Sequence, residues 1–196
     1  MKFGEGYNPQ PKSTRLPPLP AGAYIGQIRQ VKSEQKNGDD VITILLDVTE
    51  GEFAGYYMKQ YNASKGGQYE ARYKGSYRLT WPCDDNPWAQ SIRSRFNGDI
   101  WAIEQSNPGY TFADGTGNAD ERTLRGKTVG FVVRDREWEL NGETGMTTEI
   151  GCLCSVDDVK AGTAPKLRPR MIKRDAAPES STVAGYTTVH DEEFPF

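Results

Sequence analysis

Two Asn-Gly pairs, Asn37-Gly38 and Asn141-Gly142, constrain the fold of this chain more than any other feature. Asn-Gly adopts the positive φ angles of a two-residue hairpin turn with little strain, and apolar residues alternate with polar ones on both sides of each pair. Each pair therefore predicts a hairpin of two antiparallel strands. The four predicted strands are residues 21–33, 41–48, 127–138 and 150–156.

A fifth strand is predicted just after the first hairpin. Phe53 to Tyr61 follows a break at Glu50-Gly51-Glu52 and reads as the third strand of a meander. Read as a strand, this segment would place Tyr57, Lys59 and Tyr61 on one face. Two aromatic rings on either side of a lysine are poor core residues, so we expect that face to be exposed.

A mostly helical insert at about residues 66–107 separates this third strand from the second hairpin. Asn86 and Pro87 have the residue types of a helix N-cap and first turn, and we expect Asn97-Gly98 to end this helix. Asp99 would then cap a second, short helix. The residues expected to face the core are Trp88, Ile92, Phe96, Ile100, Trp101 and Ile103.

Four aromatic residues at the start of the insert lie four positions apart, namely Tyr69, Tyr73, Tyr77 and Trp81. In a helix they would form one ridge and pack inward, whereas in a loop they would line a groove together with the basic residues between them. We favour the packed helix, although Gly66-Gly67 and Gly75 weaken that prediction.

The resulting fold class is mainly β with a helical insert. Five strands in a 3 + 2 arrangement match an OB-fold, a partly open five-stranded barrel, and we expect such a barrel over residues 21–162. Another small barrel, or a bent sheet with helices, stays open. Residues 1–20 are predicted to form an extended, Pro-rich and disordered arm, and residues 163–190 a basic segment followed by a disordered linker.

The charges of the chain are divided unequally between this body and its C-terminal end. Residues 175–196 contain five Asp and Glu and no Lys or Arg, so the preceding residues carry a net charge of +2 although the whole chain carries −3. The last six residues form an acidic tip that ends in an apolar anchor: Asp191, Glu192, Glu193, Phe194, Pro195 and Phe196. Such a peptide suits a basic pocket on a partner protein.

This tip resembles the acidic C-terminal tip of bacterial and phage single-stranded DNA-binding proteins, which also ends in Pro-Phe. The body resembles phage-encoded OB-fold proteins of the same type in four segments that together span most of residues 19–162. These segments are 19–24, 106–110, 124–130 and 155–162. The resemblance implies an OB-fold that covers single strands without strong sequence preference, and a tip that recruits replication or repair proteins.

A second candidate surface for single-stranded DNA lies on the predicted fourth strand. Bases stack on aromatic rings and phosphates pair with cations, so a binding face interleaves the two kinds of residue. Arg134, Arg136 and Trp138 share one face of this strand, opposite the apolar residues that precede them, and Lys127 stands just before it. Together with Tyr57, Lys59 and Tyr61, these are the predicted DNA-binding residues. The alternative to DNA binding for both patches is an exposed strand face whose residues form ordinary cross-strand pairs.

Catalytic functions find little support. The only histidine, His190, lies outside the predicted body, and no phosphate-binding Gly-x-x-x-x-Gly-Lys motif is present. Asp84-Asp85 with Asp99 is conceivable as a magnesium site, but acidic residues beside a helix start are usually caps. We expect no catalytic residues, metal or cofactor, and a cytoplasmic protein, in the host cytoplasm if phage-encoded.

The sequence thus predicts a non-enzymatic, single-stranded DNA-binding protein of replication, recombination or repair. Two alternatives remain: a protein-interaction module that does not bind DNA, and a single-strand annealing recombinase. Whether the basic run at residues 166–174 contacts DNA or only docks the acidic tail is left open by the sequence, as is the oligomeric state.

Overall fold

A computed structural model describes residues 16–65 and 71–172. The predicted linker and the acidic tip at Asp191–Phe196 lie outside the described residues, as does the arm up to residue 15. The elements in chain order are β1 (Gly22–Lys36), β2 (Asp39–Val48), α1 (Tyr56–Ser64), β3 (Ser76–Trp81), α2 (Ala89–Gln105), a 3-10 turn (Glu121–Leu124), β4 (Thr128–Leu140), β5 (Glu143–Cys154) and α3 (Val156–Ala161).

Both predicted hairpins are confirmed. Asn37 and Asn141 each have a φ of 53°, and the glycines after them have φ of 87° and 80°, so each pair occupies the left-handed region that a tight turn requires. The turns join β1 to β2 and β4 to β5. All strands belong to one antiparallel sheet of order β3-β2-β1-β4-β5, so the prediction of a mainly β protein with five strands is also confirmed.

The sheet is open between β3 and β5, which are its two edges among the described residues, so a closed barrel is not formed by strand pairing. Helix α2 spans this gap. The buried carboxylate of Asp99 on α2 accepts a hydrogen bond from the Tyr77 hydroxyl of β3 at 2.9 Å and another from the Leu153 N–H of β5 at 3.4 Å. One side chain therefore links both sheet edges.

Asp99 is held in an environment that disfavours its charge. Only 5% of the residue is exposed, and burial raises the pKa of Asp99 to about 6, although the hydrogen bond from Tyr77 and the nearby Arg95 guanidinium act in the opposite direction. Asp99 was expected to cap a second helix, and that prediction is wrong. Helix α2 continues through Asn97-Gly98 to Gln105, and Asp99 lies on its buried face.

The predicted third strand, Phe53 to Tyr61, is wrong, because most of this segment forms helix α1. Gly51 and Gly55, with φ of 79° and 73°, turn the chain away from β2 before the helix begins. The buried carboxylate of Asp47 then accepts a hydrogen bond from the Tyr57 N–H at 3.0 Å, which satisfies one of the unpaired N–H groups of the first helical turn.

The real third strand is β3, inside the segment that was predicted to be mostly helical. Tyr77 and Leu79 alternate with Arg78 and Thr80, and Tyr77 pairs with Ile44 of β2. Tyr77 and Leu79 are 4% and 1% exposed, as the two-residue period of a strand requires. The four-residue spacing of the aromatic residues, which predicted a helix, does not describe this segment. The predicted helical ridge is therefore wrong for its described members, and Tyr69 lies outside the described residues.

Helix α2 also differs from prediction at its tryptophans. Trp88 is 72% exposed and Trp101 is 55% exposed, so neither belongs to the core as predicted, whereas Ile100 and Ile103 do. The helix begins at Ala89 rather than Pro87. Asn86 still acts at this end, because its side chain accepts a hydrogen bond from the Trp88 N–H at 2.9 Å.

Two flanking segments pack on the body more closely than predicted. At the N-terminal side, Leu19 is 1% exposed, and the Tyr56 hydroxyl donates to the Pro17 carbonyl at 2.5 Å, so residues 16–20 are not part of a disordered arm. At the C-terminal side, Val156 begins α3 instead of ending β5, and Ser155 and Asp158 form a capping box there.

Candidate nucleic-acid interface

The β4–β5 hairpin extends beyond the rest of the sheet as a two-stranded ribbon. Strand β1 pairs with β4 only from Thr128 to Val133, whereas β4 continues to Leu140 paired with β5. The edge that β1 leaves uncovered is partly occupied by Arg170, whose backbone N–H donates to Asp135 and whose carbonyl accepts from the Glu137 N–H, at 2.8 and 2.9 Å. Part of the predicted basic segment is thus a structural element of the ribbon.

The two faces of this ribbon carry opposite charge. Arg134, Arg136 and Trp138 lie on one face, as predicted, because successive strand residues point to opposite sides. Asp135, Glu137 and Glu139 occupy the intervening positions and therefore the other face. A polyanion approaching the ribbon is attracted to the first face, which we call the arginine face, and repelled by the second.

Three guanidinium groups surround one carboxylate on the arginine face. Arg134 donates two hydrogen bonds to Oε1 of Glu149, at 3.0 and 2.7 Å. Arg136 and Arg170 approach the same carboxylate at 3.4 and 3.5 Å. With three cations and one anion the cluster keeps a net positive charge, and the half-exposed side chains of Arg136 and Arg170 present it to solvent.

Trp138 supplies an aromatic surface next to this cluster. It pairs across the ribbon with Gly145, and a Cβ placed on that glycine would come within 2.7 Å of the indole ring. The missing side chain thus lets the ring lie close over the neighbouring strand. The indole is 37% exposed and borders an open cavity of about 590 Å³. Both basic and acidic residues line this cavity, namely Arg136, Glu137, Glu139 and Arg170, together with Met171 and Ile172.

The other predicted patch is broken up by helix α1, in which Tyr57 and Tyr61 point away from Lys59. Tyr57 is 5% exposed and packs in the core, which contradicts its predicted exposure. Lys59 donates a hydrogen bond to the Ala54 carbonyl at 2.8 Å. The Lys65 ammonium lies over the Tyr61 ring, 4.6 Å from its centroid, in a cation–π contact. The three residues therefore do not form one stacking face.

Lys127 is also separated from the arginine face, since it precedes β4 and Trp138 lies near the opposite end of that strand. Its ammonium sits over the Tyr110 ring at 4.0 Å, and its carbonyl accepts a hydrogen bond from Ile28 at 2.9 Å. Of the four residues predicted on this side, the structure brings together Arg134, Arg136 and Trp138.

Sequence reasoning missed two residues of the cluster, Glu149 and Arg170. The basic run at residues 166–174 pointed to Arg170 but not to its position beside β4. Val132 pairs with Cys152 and Val133 pairs with Ile150, so the pairing of β4 with β5 skips Gly151. This irregularity sets the register in which Glu149 faces Arg134. No sequence pattern indicates that irregularity, so the register that brings these two residues together could not be predicted.

A metal site is not assembled within residues 16–65 and 71–172. No group of three or more His, Cys, Asp or Glu side chains there is arranged to hold a metal ion. Asp84 pairs with Arg93 and Asp99 is buried against Tyr77, so the magnesium site considered above is not assembled. In the same ranges, no helix combines the length and apolarity that crossing a bilayer requires.

Comparison with known proteins adds no identification. No protein-family model matches this chain, and no curated protein shows significant sequence similarity to it.

Proposed function

We propose that this protein binds single-stranded DNA without strong sequence preference, and that it does so on the arginine face of the β4–β5 ribbon. The observation that carries the proposal is the combination of Trp138 with the net-positive cluster of Arg134, Arg136 and Arg170. Aromatic stacking is worth about 1–3 kcal/mol per base and tolerates any base, while the guanidinium groups pair with phosphates. In this proposal the protein acts on phage DNA inside the host during replication, recombination or repair.

The fold supports this proposal at a coarser level. A five-stranded sheet whose edges β3 and β5 approach each other, with a helix after β3 spanning the gap, is compatible with the partly open barrel of an OB-fold. We infer an OB-type body, in which Asp99 and Arg95 replace strand pairing at one end of the gap. Arg95 donates to the Gly151 carbonyl of β5 at 3.2 Å, so it reinforces the same bridge.

The acidic tip, residues 191–196, is proposed to dock on a replication or repair protein through its carboxylates and Phe196. This part of the proposal rests on the sequence and on its resemblance to single-stranded DNA-binding proteins. It requires no residue of the arginine face, and removal of the tip is therefore expected to leave the affinity for DNA at least as high as in the full chain.

The test is fluorescence anisotropy of a labelled oligo-dT, titrated with the full chain at low and physiological salt, with duplex DNA as competitor. We expect binding that weakens as salt rises and that duplex does not displace. Trp138→Ala should weaken binding about 5- to 150-fold, the equivalent of one lost stacking contact. Absence of binding at low salt by folded protein would reject the proposal and favour a protein-interaction module.

A further inference from the structure

A second cavity, of about 340 Å³, lies at the edge of β5 that faces β3. Thr147 and Thr148 of β5 form one wall, and Lys74, two residues before β3, forms another. The cavity therefore occupies the open gap of the sheet. Helix α2 bridges this gap farther along, where Asp99 and Arg95 contact Leu153 and Gly151.

The chemistry of this cavity suits a nucleotide. No carboxylate lines it, and its one charged side chain, Lys74, is exposed and forms no ion pair with any described residue. The hydroxyl of Thr148 offers a hydrogen bond on the core side of the sheet, and Leu16 and Pro17 add apolar surface to the lining. Its volume is at the lower end of the range of about 300–1,000 Å³ for small-molecule sites.

The cavity meets the arginine face only at Thr147 of β5, whereas Thr148 points to the opposite, core side of the sheet. Thr147 pairs directly with Arg136 across the ribbon, so both side chains point to the same side of the sheet. Strands in a sheet lie about 4.8 Å apart, which puts the gap within about 10 Å of β4. That distance equals the rise of about three stacked nucleotides at about 3.4 Å each. A strand held at Arg136 therefore reaches Lys74 by crossing β5.

We propose that this cavity is a second nucleotide subsite, in which the gap between β3 and β5 takes one nucleotide of a single strand already bound to the arginine face. Lys74 pairs with its phosphate. The strand passes over β5 at Thr147, Thr148 hydrogen-bonds the base edge, and Leu16 and Pro17 cover the base or sugar. The inference rests on the proposed function and adds the direction of the strand, across the ribbon from Trp138 towards the gap.

The salt dependence of oligo-dT binding tests the phosphate contact. Each phosphate contact on a single strand contributes about 0.7 to the slope of log affinity against log salt, so Lys74→Gln should lower that slope by about 0.7. Lys59→Gln is the matched control, because Lys59 is exposed on α1 outside the cavity. A slope for Lys74→Gln equal to that of the wild type would overturn the subsite.

Thr148→Val tests whether the base enters the cavity, because it keeps the side-chain shape and removes only the hydroxyl. We expect affinity for oligo-dT to fall about two- to tenfold, the range of one hydrogen bond, with an unchanged salt slope. Unchanged affinity would place the base outside the cavity and overturn the subsite. If Trp138→Ala weakens binding of oligo-dT but Lys74→Gln and Thr148→Val do not, the subsite alone is rejected. If the wild-type protein does not bind oligo-dT, both proposals are rejected.

Discussion

The segments Phe53–Ser64 and Thr128–Leu140 present similar mixtures of aromatic and basic residues, yet they fold in opposite ways. The first becomes helix α1 and buries Tyr57, whereas the second becomes strand β4 and exposes Arg136 and Trp138. Read as strands, both predict a face for stacking bases. Only the second segment is a strand with its aromatic and basic residues exposed on one face. An aromatic-basic pattern therefore predicts such a face only when the sequence also shows which strand it pairs with.

The difference lies in the neighbouring sequence. Strand β4 is followed by Asn141-Gly142 and a return strand, which together fix its pairing. The segment after β2 has no such turn, and Tyr57 and Tyr61 are spaced as suitably for one helix face as for one strand face. The buried carboxylate of Asp47 supports the helix by accepting from the Tyr57 N–H in the first turn of α1, a contact that the spacing of the aromatic residues does not reveal.

The largest expected effect tests the structural side of this comparison. Tyr57→Ala removes a buried ring and should lower the free energy of unfolding by about 3–5 kcal/mol, measured by urea denaturation. Tyr57→Phe, which keeps the ring, is the control and should cost far less. If Tyr57→Ala instead left stability intact and abolished oligo-dT binding, Tyr57 would belong to an exposed stacking face.

The next largest effect concerns the buried bridge between β3 and β5. The folded-state pKa of Asp99 is raised from 3.8 to about 6, so the folded protein binds more protons than the unfolded chain between these values. The Asp99 contribution should therefore decrease the free energy of unfolding as pH rises from about 4 to about 6, by roughly 1–3 kcal/mol.

Asp99→Asn isolates this contribution, because the amide keeps the shape of the side chain without its charge: its oxygen can accept from the Leu153 N–H, and its NH2 group can donate to the Tyr77 hydroxyl oxygen. At pH 8 the variant should be more stable than the wild type, and it should lose the decrease in stability between pH 4 and 6. Asp99→Ala is the control and should be destabilised at every pH, since Tyr77 and Leu153 lose their partner. A wild-type profile retained by Asp99→Asn would contradict the assigned cause.

A smaller effect sharpens the functional side of the comparison. Replacing both Arg136 and Arg170 by Gln removes two exposed cations and leaves the Arg134–Glu149 pair in place. The salt slope of oligo-dT binding should fall by about 1.4, the value for two phosphate contacts. An unchanged slope would mean that phosphates bind elsewhere. Thermal unfolding checks that the variant remains folded.

The smallest expected effect is at Lys59, which the sequence predicted to bind DNA and the structure places on α1. Lys59→Gln removes an exposed ammonium that bonds only the Ala54 carbonyl among described residues. We expect stability to change by less than about 0.5 kcal/mol and the salt slope to stay at the wild-type value. A slope lowered by about 0.7 would restore the first patch to the interface.

The sequence was sufficient for the features that depend on local residue types. The hairpin turns, the alternation in β4 and the arginine face all follow from patterns within a few residues. Features that depend on distant contacts were missed. Tyr77 pairs with Ile44, Arg170 joins β4 and Asp99 links Tyr77 to Leu153, and each of these contacts brings together residues more than 20 positions apart.

Residues in three of the segments on which the sequence-based expectation of a single-stranded DNA-binding protein rested form contacts within the fold, away from the arginine face. Asn107 accepts from the Thr128 N–H at 3.1 Å and donates to its carbonyl at 2.7 Å, which fixes the end of α2 to the start of β4. Ser106 accepts from the Val156 N–H at 3.0 Å and so joins α2 to α3. These contacts join elements of the fold, and the proposed location of the interface rests on the arginine face alone.

The most direct test of that location uses Trp138 as its own reporter. Phe substitutions at Trp81, Trp88 and Trp101, which are all exposed, leave Trp138 as the only indole of the chain. Titration with oligo-dT, followed at once by anisotropy of the labelled DNA and by indole emission, should show quenching that saturates together with binding, because a base stacks on the ring. Complete binding with no change in Trp138 emission would contradict the proposed interface.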